Sequence, residues 1–286
     1  MFITSLAVLI RIFSNSMANV YQKQLTARGC TPALINFMMY CGLSILCVLL
    51  KFDNVCFEFG VQFWVSSILG GLFGAIGNFC LVKALEGGEL SVLGPINAYK
   101  AVVAMVFGIF LLHEFPSAIG VAAVLLIIFG SYFIFDTQEE GFSFNLLKRK
   151  DIRYRIYALV FTAIEAVFIK KVIELSDINI AFTMWAVWGA IFSGILLFVS
   201  PKKSFKNNAC IMSKLGLIII MMGVMQYSTN IVFARIPVSY GLALFQLSAI
   251  LSVILGWRFF RETHVCKKLL GSLIMVFGAV LLILFK

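Results

Sequence analysis

The chain has 286 residues, of which 62% are hydrophobic and only 13% charged, whereas a soluble domain is roughly 45–50% apolar and about 25% charged. In water such a chain would expose far more apolar surface than soluble proteins carry. An ordinary soluble enzyme, a disordered segment and a nucleic-acid-binding module are therefore excluded, and an all-α integral membrane protein is expected. The 23 Lys and Arg against 13 Asp and Glu give a net charge of +10, which in a membrane protein marks cytoplasmic loops and does not by itself call for a polyanion.

A membrane-crossing helix needs about 20 mostly apolar residues. Ten stretches qualify: 3–22, 32–51, 61–82, 91–112, 117–136, 155–173, 179–199, 214–234, 239–259 and 267–285. They use nearly the whole chain. The largest break, 137–153, carries Glu139, Glu140, Lys148, Arg149 and Lys150 and divides the chain into halves 1–140 and 141–286. The first span reads as a membrane helix and not a cleaved leader, because no basic residue precedes its apolar run and Arg11 interrupts it.

Polar residues inside the spans carry the functional signal. Span 1 holds Arg11, Asn15, Asn19 and Gln22, whose spacing puts them on one helical face. Asn36 and Tyr40 lie on span 2. On span 3, Ser66, Gly70, Gly74 and Asn78 form a small-residue ladder that permits close helix approach. Pro95, after Gly87, Gly88 and Gly94, is positioned to break span 4 and free backbone carbonyls. Asn97, Tyr99 and Lys100 come next, Lys100 with no acid at its depth.

Glu165 lies deep in span 6, at a depth similar to that of Arg11, so an intramembrane ion pair between them is expected. A charge at the bilayer centre costs at least about 2.5–3.5 kcal/mol and should be paired or face a wet cavity. Span 7 carries Trp185 and Trp188, spans 8 and 9 carry Gln226, Asn230, Gln246 and Ser248. The candidate substrate-binding set is Arg11, Asn15, Asn19, Asn78, Asn97, Lys100, Glu165, Trp188, Gln226 and Gln246. Any single Asn or Gln would serve equally as an interhelical hydrogen bond, worth about 0.6 kcal/mol on average, and Trp188 equally as packing. Glu114 and Glu262, at equivalent helix ends, are expected to brace turns through first-turn amides of the next helix.

The chain repeats itself. A shift of 148 residues brings Phe129-Gly130-Ser131 onto Phe277-Gly278-Ala279 and Glu114 onto Glu262. Near the start of each half a shift of 147 brings Val20-Tyr21-Gln22-Lys23 onto Val167-Phe168-Ile169-Lys170. Five spans per half is an odd number, so the second half must enter the membrane from the opposite side. That is an inverted 5+5 repeat, an architecture common among secondary transporters.

The pattern of a first-helix Lys, Lys83-Ala84-Leu85 … Pro95, Leu111-Leu112-His113-Glu114, and Phe259-Phe260-Arg261-Glu262 … Gly271 … Gly278 resembles the ten-helix EamA-type branch of the drug/metabolite transporter superfamily. The resemblance covers essentially the whole chain. It implies the ten-helix fold and a cargo such as an amino acid, a sugar or another polar solute. In the first helix, Ser14-Asn15-Ser16 replaces the usual Trp-Gly pair.

Most Lys and Arg fall at the turns after spans 1, 3, 5, 7 and 9, with Lys148, Arg149, Lys150, Arg153 and Arg155 counted to the turn after span 5. The positive-inside rule makes that side cytoplasmic and puts both termini outside, whereas the resemblance implies cytoplasmic termini. Both orientations stay open on the sequence.

No phosphate-binding loop, kinase motif or nucleophile elbow is present, and the seven Cys have no C-x-x-C spacing. The expected protein is not an enzyme and carries no cofactor or metal. It is a multi-pass permease of a bacterial plasma (inner) membrane that moves a small polar metabolite, such as an amino acid or organic anion, by alternating access. Its partners are the lipid bilayer, the small-molecule substrate and, through Glu165, protons, with no nucleic acid. A monomer suffices and a dimer is compatible. The alternatives are a multidrug or cation exporter, which two deep cations disfavour, and a non-transporting membrane protein or channel.

Overall fold

The computed structural model describes residues 2–50, 59–100, 102–103, 117–138, 148–200 and 209–284, and every element among them is helical. The helices are α1 (Phe2–Ala27), α2 (Pro32–Leu49), α3 (Val61–Gly87), the single turn α4 (Leu90–Leu93) running into a 3-10 turn (Pro95–Ala98), α5 (Ala118–Phe135), α6 (Lys150–Leu175), α7 (Ile178–Val199), α8 (Ala209–Arg235), α9 (Val238–Phe245), α10 (Ser248–Phe260) and α11 (Val265–Leu284).

Local chemistry sets several starts. Thr31 caps α2 by accepting from the Leu34 amide at 3.3 Å, with Pro32 in the first turn. Ser117 caps α5 through the Gly120 amide at 3.2 Å. Asp177 caps α7 by accepting from the amides of Asn179 and Ile180 at 2.6 and 2.9 Å.

Among the described residues seven segments are long and apolar enough to cross a membrane: α1, α2, α3, α5, α7, α8 and the α9–α10 stretch Val238–Phe260. The outer surface agrees. Large side chains such as Leu9, Phe13, Leu125, Val167, Phe198 and Phe277 are exposed around the bundle, a surface suited to lipid and not to water. The chain is a multi-pass integral membrane protein.

Three expected spans differ in detail. The 155–173 span is the longer helix α6, which begins at Lys150 and draws several charges into the helix. The 91–112 span is interrupted at Gly94-Pro95, where proline has no N–H to donate, and most of its remaining length lies outside the described residues. The 239–259 span is interrupted at Gln246-Leu247 without a proline; there the amides of Gln246 and Leu247 bond three residues back, to Ala243 and Leu244, and tighten the turn.

Small residues decide which helices approach closely. α3 lies antiparallel along α6: a Cβ on Gly70 would stand 3.3 Å from Ile169 and one on Gly77 2.6 Å from Thr162. The Gly70–Gly74 part of the expected ladder therefore works as a packing surface. α5 lies antiparallel along α11, where a Cβ on Gly130 would stand 2.7 Å from the Gly271 carbonyl and one on Gly278 2.8 Å from the Ala123 carbonyl. α1 lies along α8, and α2 along α7.

Candidate functional site

A cavity of about 110 Å3 lies at the centre of the bundle, walled by α1, α2, α3, α6, α7, α8, α9 and α10. Of the expected site residues, the structure brings Arg11, Asn15, Asn19, Asn78, Asn97, Lys100, Glu165 and Gln226 to its wall. Trp188 and Gln246 do not line it.

The small face of α3 makes room for the carboxylate. A Cβ on Gly74 would stand 2.6 Å from Glu165 Oε1 and 2.9 Å from Trp185 Nε1. In that space the Trp185 indole donates to Glu165 Oε1 at 2.6 Å. Tyr40 packs edge-on against the Trp185 ring, with centroids 4.8 Å apart, and also lines the cavity. The cavity tryptophan is thus Trp185 in place of the expected Trp188. Residues three apart on an α-helix still differ by about 60° around its axis, which carries Trp188 past the cavity rim toward α3. Trp188 instead packs on Gly71 of α3 and stacks on Phe192.

The expected ion pair between Arg11 and Glu165 is not formed; no nitrogen–oxygen approach within salt-bridge distance joins them. Trp185 engages Glu165, and the Arg11 guanidinium lies over the Phe245 ring, 4.0 Å from its centroid, a cation–π contact. Arg11 Nε and Nη1 are buried with no hydrogen-bond partner on the protein.

The break at Pro95 acts as expected. The Leu93 carbonyl, released from the helical ladder, accepts from Arg155 Nε at 2.7 Å. Sequence reading missed Arg155 and counted it among turn cations. It lies more than one turn inside α6, is 8% exposed and lines the cavity. Lys100 comes after the same break, is 8% exposed and lies within the fields of Arg11, Arg155 and Glu165. Gln246 sits at the other helix break and accepts from Asn97 Nδ2 at 3.0 Å, which ties the two interruptions together.

Other polar residues are already engaged. Asn78 accepts from Gln22 Nε2 at 3.4 Å and donates to Asn36, whose own amide donates to the Ala75 carbonyl at 3.0 Å. Gln226 donates to Asn230 at 3.0 Å. Asn19 Oδ1 and the Tyr40 hydroxyl are buried without partners on the protein.

Where α1, α3 and α10 end and α6 begins, a second polar cluster closes the bundle. Lys23 Nζ donates to Glu262 Oε1 at 2.7 Å and to the Gly88 carbonyl at 2.8 Å. The Leu90 and Ser91 amides each donate to the Glu262 carboxylate at 2.8 Å. Glu262 does brace first-turn amides, but those of α4 in the other half and not those of the next helix. Arg261 makes this reach by adopting φ 55°, a left-handed conformation that costs a non-glycine residue about 1–2 kcal/mol. Burial pushes the Glu262 carboxyl up, but Lys23 and the Ser91 amide outweigh it and hold it below the usual carboxylate range. Lys268 pairs with Glu89 and Lys267 with Asp136 on the same face. Glu114, the repeat-equivalent of Glu262, lies outside the described residues.

No group of three His, Cys, Asp or Glu that could hold a metal occurs among the described residues. The cavity offers cations, a carboxylate, amides and an aromatic wall, a set suited to binding a polar solute.

The family model described as "EamA-like transporter family" matches residues 2–136 and 152–284. A "Putative sugar uptake protein" of Streptococcus pyogenes serotype M6 is 25% identical over 236 residues, covering 79% of this chain and 80% of its own. "Putative sugar uptake protein YxfA" of Lactococcus lactis is 24% identical over 245 residues, with the same coverage. A solved crystal structure, 17% identical, superposes with a TM-score of 0.68 over 97% of this chain and 96% of its own, which is a likeness of fold. With both halves matched, the chain belongs to the EamA-like transporter family.

Proposed function

We propose that the protein is a secondary transporter that moves a small polar metabolite by alternating access, with the central cavity as its binding site. The observation that carries this reading is the cavity itself: a polar, charged space lined from both halves of the chain, inside a bundle whose outer surface is apolar. Secondary transporters place their sites where two repeats meet. The family and its relatives point to a transporter and away from an enzyme.

Packing supports ten helices arranged as an inverted repeat of halves 1–140 and 141–286. A shift of 147 to 148 residues carries α1 onto α6 and α3 onto α8, so it exchanges the pair α1–α8 with the pair α3–α6. The same shift exchanges the Gly130–Gly271 contact with the Gly278–Ala123 contact. In alternating access the Lys23–Glu262 cluster is the shut gate. The Lys and Arg surplus on that face makes it the cytoplasmic one by the positive-inside rule. A plasma membrane of bacterial type fits the bacterial relatives. Export of cationic drugs fits poorly, because Arg11, Lys100 and Arg155 outnumber Glu165 on the cavity wall.

A sugar is one candidate cargo, from the names of the relatives. Glu165 is the proton-carrying group, a carboxylate set deep among apolar helices. The test is flux into liposomes holding the purified protein, with a panel of sugars, amino acids and organic acids. The expected result is uptake of at least one solute, driven by an imposed proton gradient. Glu165→Gln is expected to keep exchange down the solute's own gradient and to lose the proton drive. Proton-driven uptake undiminished in that variant would remove the coupling role, and no flux for any solute would overturn the transporter reading.

A further inference from the structure

Three cations enter the cavity wall from three separate segments: Arg11 from α1, Lys100 from the segment after the 3-10 turn, and Arg155 from α6. Among the described residues one carboxylate, Glu165, stands with them, which leaves a formal surplus of two positive charges on the described wall. No ion pair among the described residues neutralises them. Lys100 makes no ion pair and no side-chain hydrogen bond among the described residues, although it is 8% exposed. Arg11 keeps two buried N–H groups unpartnered. Arg155 has only its Nε engaged among the described residues, by the Leu93 carbonyl. Glu262, Glu89 and Asp151, acids at the gate end of the bundle, are bound to Lys23, Lys268 and Arg149. Charges so deep require a partner or water, and a buried polar atom without a hydrogen bond is the exception in folded proteins.

The remaining unengaged polar groups differ in kind. Asn15 and Asn19 stand one turn apart on α1, the Asn19 side-chain oxygen is unpartnered, and so is the Tyr40 hydroxyl. An amide oxygen accepts and a phenol both donates and accepts. These are groups that pair with alcohols, beside groups that pair with an acid.

We propose that the cargo is a hydroxylated anion, a sugar or polyol that carries a carboxylate or phosphate, with its acid held by Lys100, Arg11 and Arg155 and its hydroxyls by Asn15, Asn19 and Tyr40. This deepens the transporter reading and rests on the same cavity. It separates this chain from a carrier of neutral sugars: an uncharged sugar leaves the three cations as they stand, whereas an anion supplies the charge-assisted hydrogen bonds they lack.

The test is equilibrium binding to the purified full chain, with glucose, gluconate, glucose 6-phosphate and alanine as probes. The expected order places gluconate or glucose 6-phosphate at least about tenfold tighter than glucose or alanine, in keeping with a charge-assisted contact. Whichever of the two anions binds tighter identifies the acid as carboxylate or phosphate. Lys100→Gln is expected to weaken the preferred anion about tenfold or more, while Lys100→Arg restores most of it. Glu165→Gln, which removes the opposing charge on the wall, is expected to tighten the anion. Equal or tighter binding of glucose or alanine by the unaltered protein overturns the proposal, and that measurement needs no variant to fold. Liposome flux separates the two readings: anion binding without flux of any solute keeps the cargo chemistry and removes transport, whereas glucose flux without flux of either anion keeps transport and removes the anion.

Discussion

Lys23 and Lys100 sit in the same bundle and are held in opposite ways. At the gate, Lys23 has a carboxylate at 2.7 Å and a backbone carbonyl at 2.8 Å, and that carboxylate has two amides of its own. In the cavity, Lys100 has no such partner among the described residues, and neighbouring Arg11 rests two of its N–H groups against nothing polar. One region lies at the bundle's end and the other at its centre, and both contain charges drawn from each half of the chain. The difference is saturation. A saturated cluster holds helices in one arrangement, and it must be undone as a unit for that arrangement to change. An unsaturated one stores binding capacity, which a solute with matching charge can claim.

The most forceful way to test the saturated side is to remove Glu262. Glu262→Ala strips Lys23 of its counter-ion and leaves two buried amides of α4 without acceptors. Breaking one partner of a buried ion pair typically costs about 3–5 kcal/mol. We expect the folded, gate-closed state to lose stability by about 3 kcal/mol, read as a lower midpoint of thermal unfolding, and a cysteine placed at Ser91 to become reactive to thiol reagents. Acid should act in the same direction in the unaltered protein. The Glu262 carboxyl is held below its unfolded range, so its contribution is fully present above the ordinary carboxylate range. It fades as pH falls through the lowered folded value. Cysteine labelling at Ser91 that does not rise under such acid would mean that the gate does not depend on this carboxylate.

The two regions were unequally legible in the sequence. The polar stripe of α1 and the depth of Lys100 and Glu165 were readable because hydropathy makes any deep charge conspicuous, and Pro95 announced a break by its missing donor. Glu262 was readable as a brace, but its partner was not: repeat spacing gives no distance across the bundle to α4. Arg155 was hidden by its neighbours. Lys148, Arg149, Lys150, Arg153 and Arg155 read together as a turn, whereas the helix starts at Lys150 and carries Arg155 inward. The Arg11–Glu165 pairing failed because equal depth fixes neither azimuth nor competition; an indole at 2.6 Å and an aromatic ring under the guanidinium took the two groups instead. The interruption at Gln246 carries no proline and gave no signal at all.

A smaller effect probes the space in which the cavity carboxylate stands. Gly74→Ala would press a methyl against Glu165 Oε1 and Trp185 Nε1, which the wild-type backbone leaves clear. Overpacking of this kind costs about 1–3 kcal/mol when neighbours cannot move. Here the carboxylate and the indole can retreat into the cavity, so we expect the lower end of that range in stability and a larger loss of solute affinity. Isothermal titration beside thermal unfolding would separate the two. Equal affinity in Gly74→Ala and wild type would mean that the Glu165–Trp185 pair does not shape the binding space.

The smallest effect should come from Trp188, and it sharpens the contrast between charges that hold and charges that wait. Trp188 is deep and aromatic, as a ligand-facing residue would be, yet it lies off the cavity wall and its Nε1 has no partner on the protein to lose. Its backbone and Cβ pack on Gly71, and its ring stacks on Phe192 at a 6.1 Å centroid distance. Phenylalanine keeps the Cβ contact and an aromatic face toward Phe192. Trp188→Phe should therefore shift unfolding by no more than about 1 kcal/mol, the scale of one aromatic pair, and leave solute affinity at the wild-type value. The same change at Trp185 removes the donor to Glu165 and should not be silent. If the two variants bind solute equally, the hydrogen bond at 2.6 Å is packing in another form, and Glu165 belongs with the saturated charges of the gate and not with the cavity.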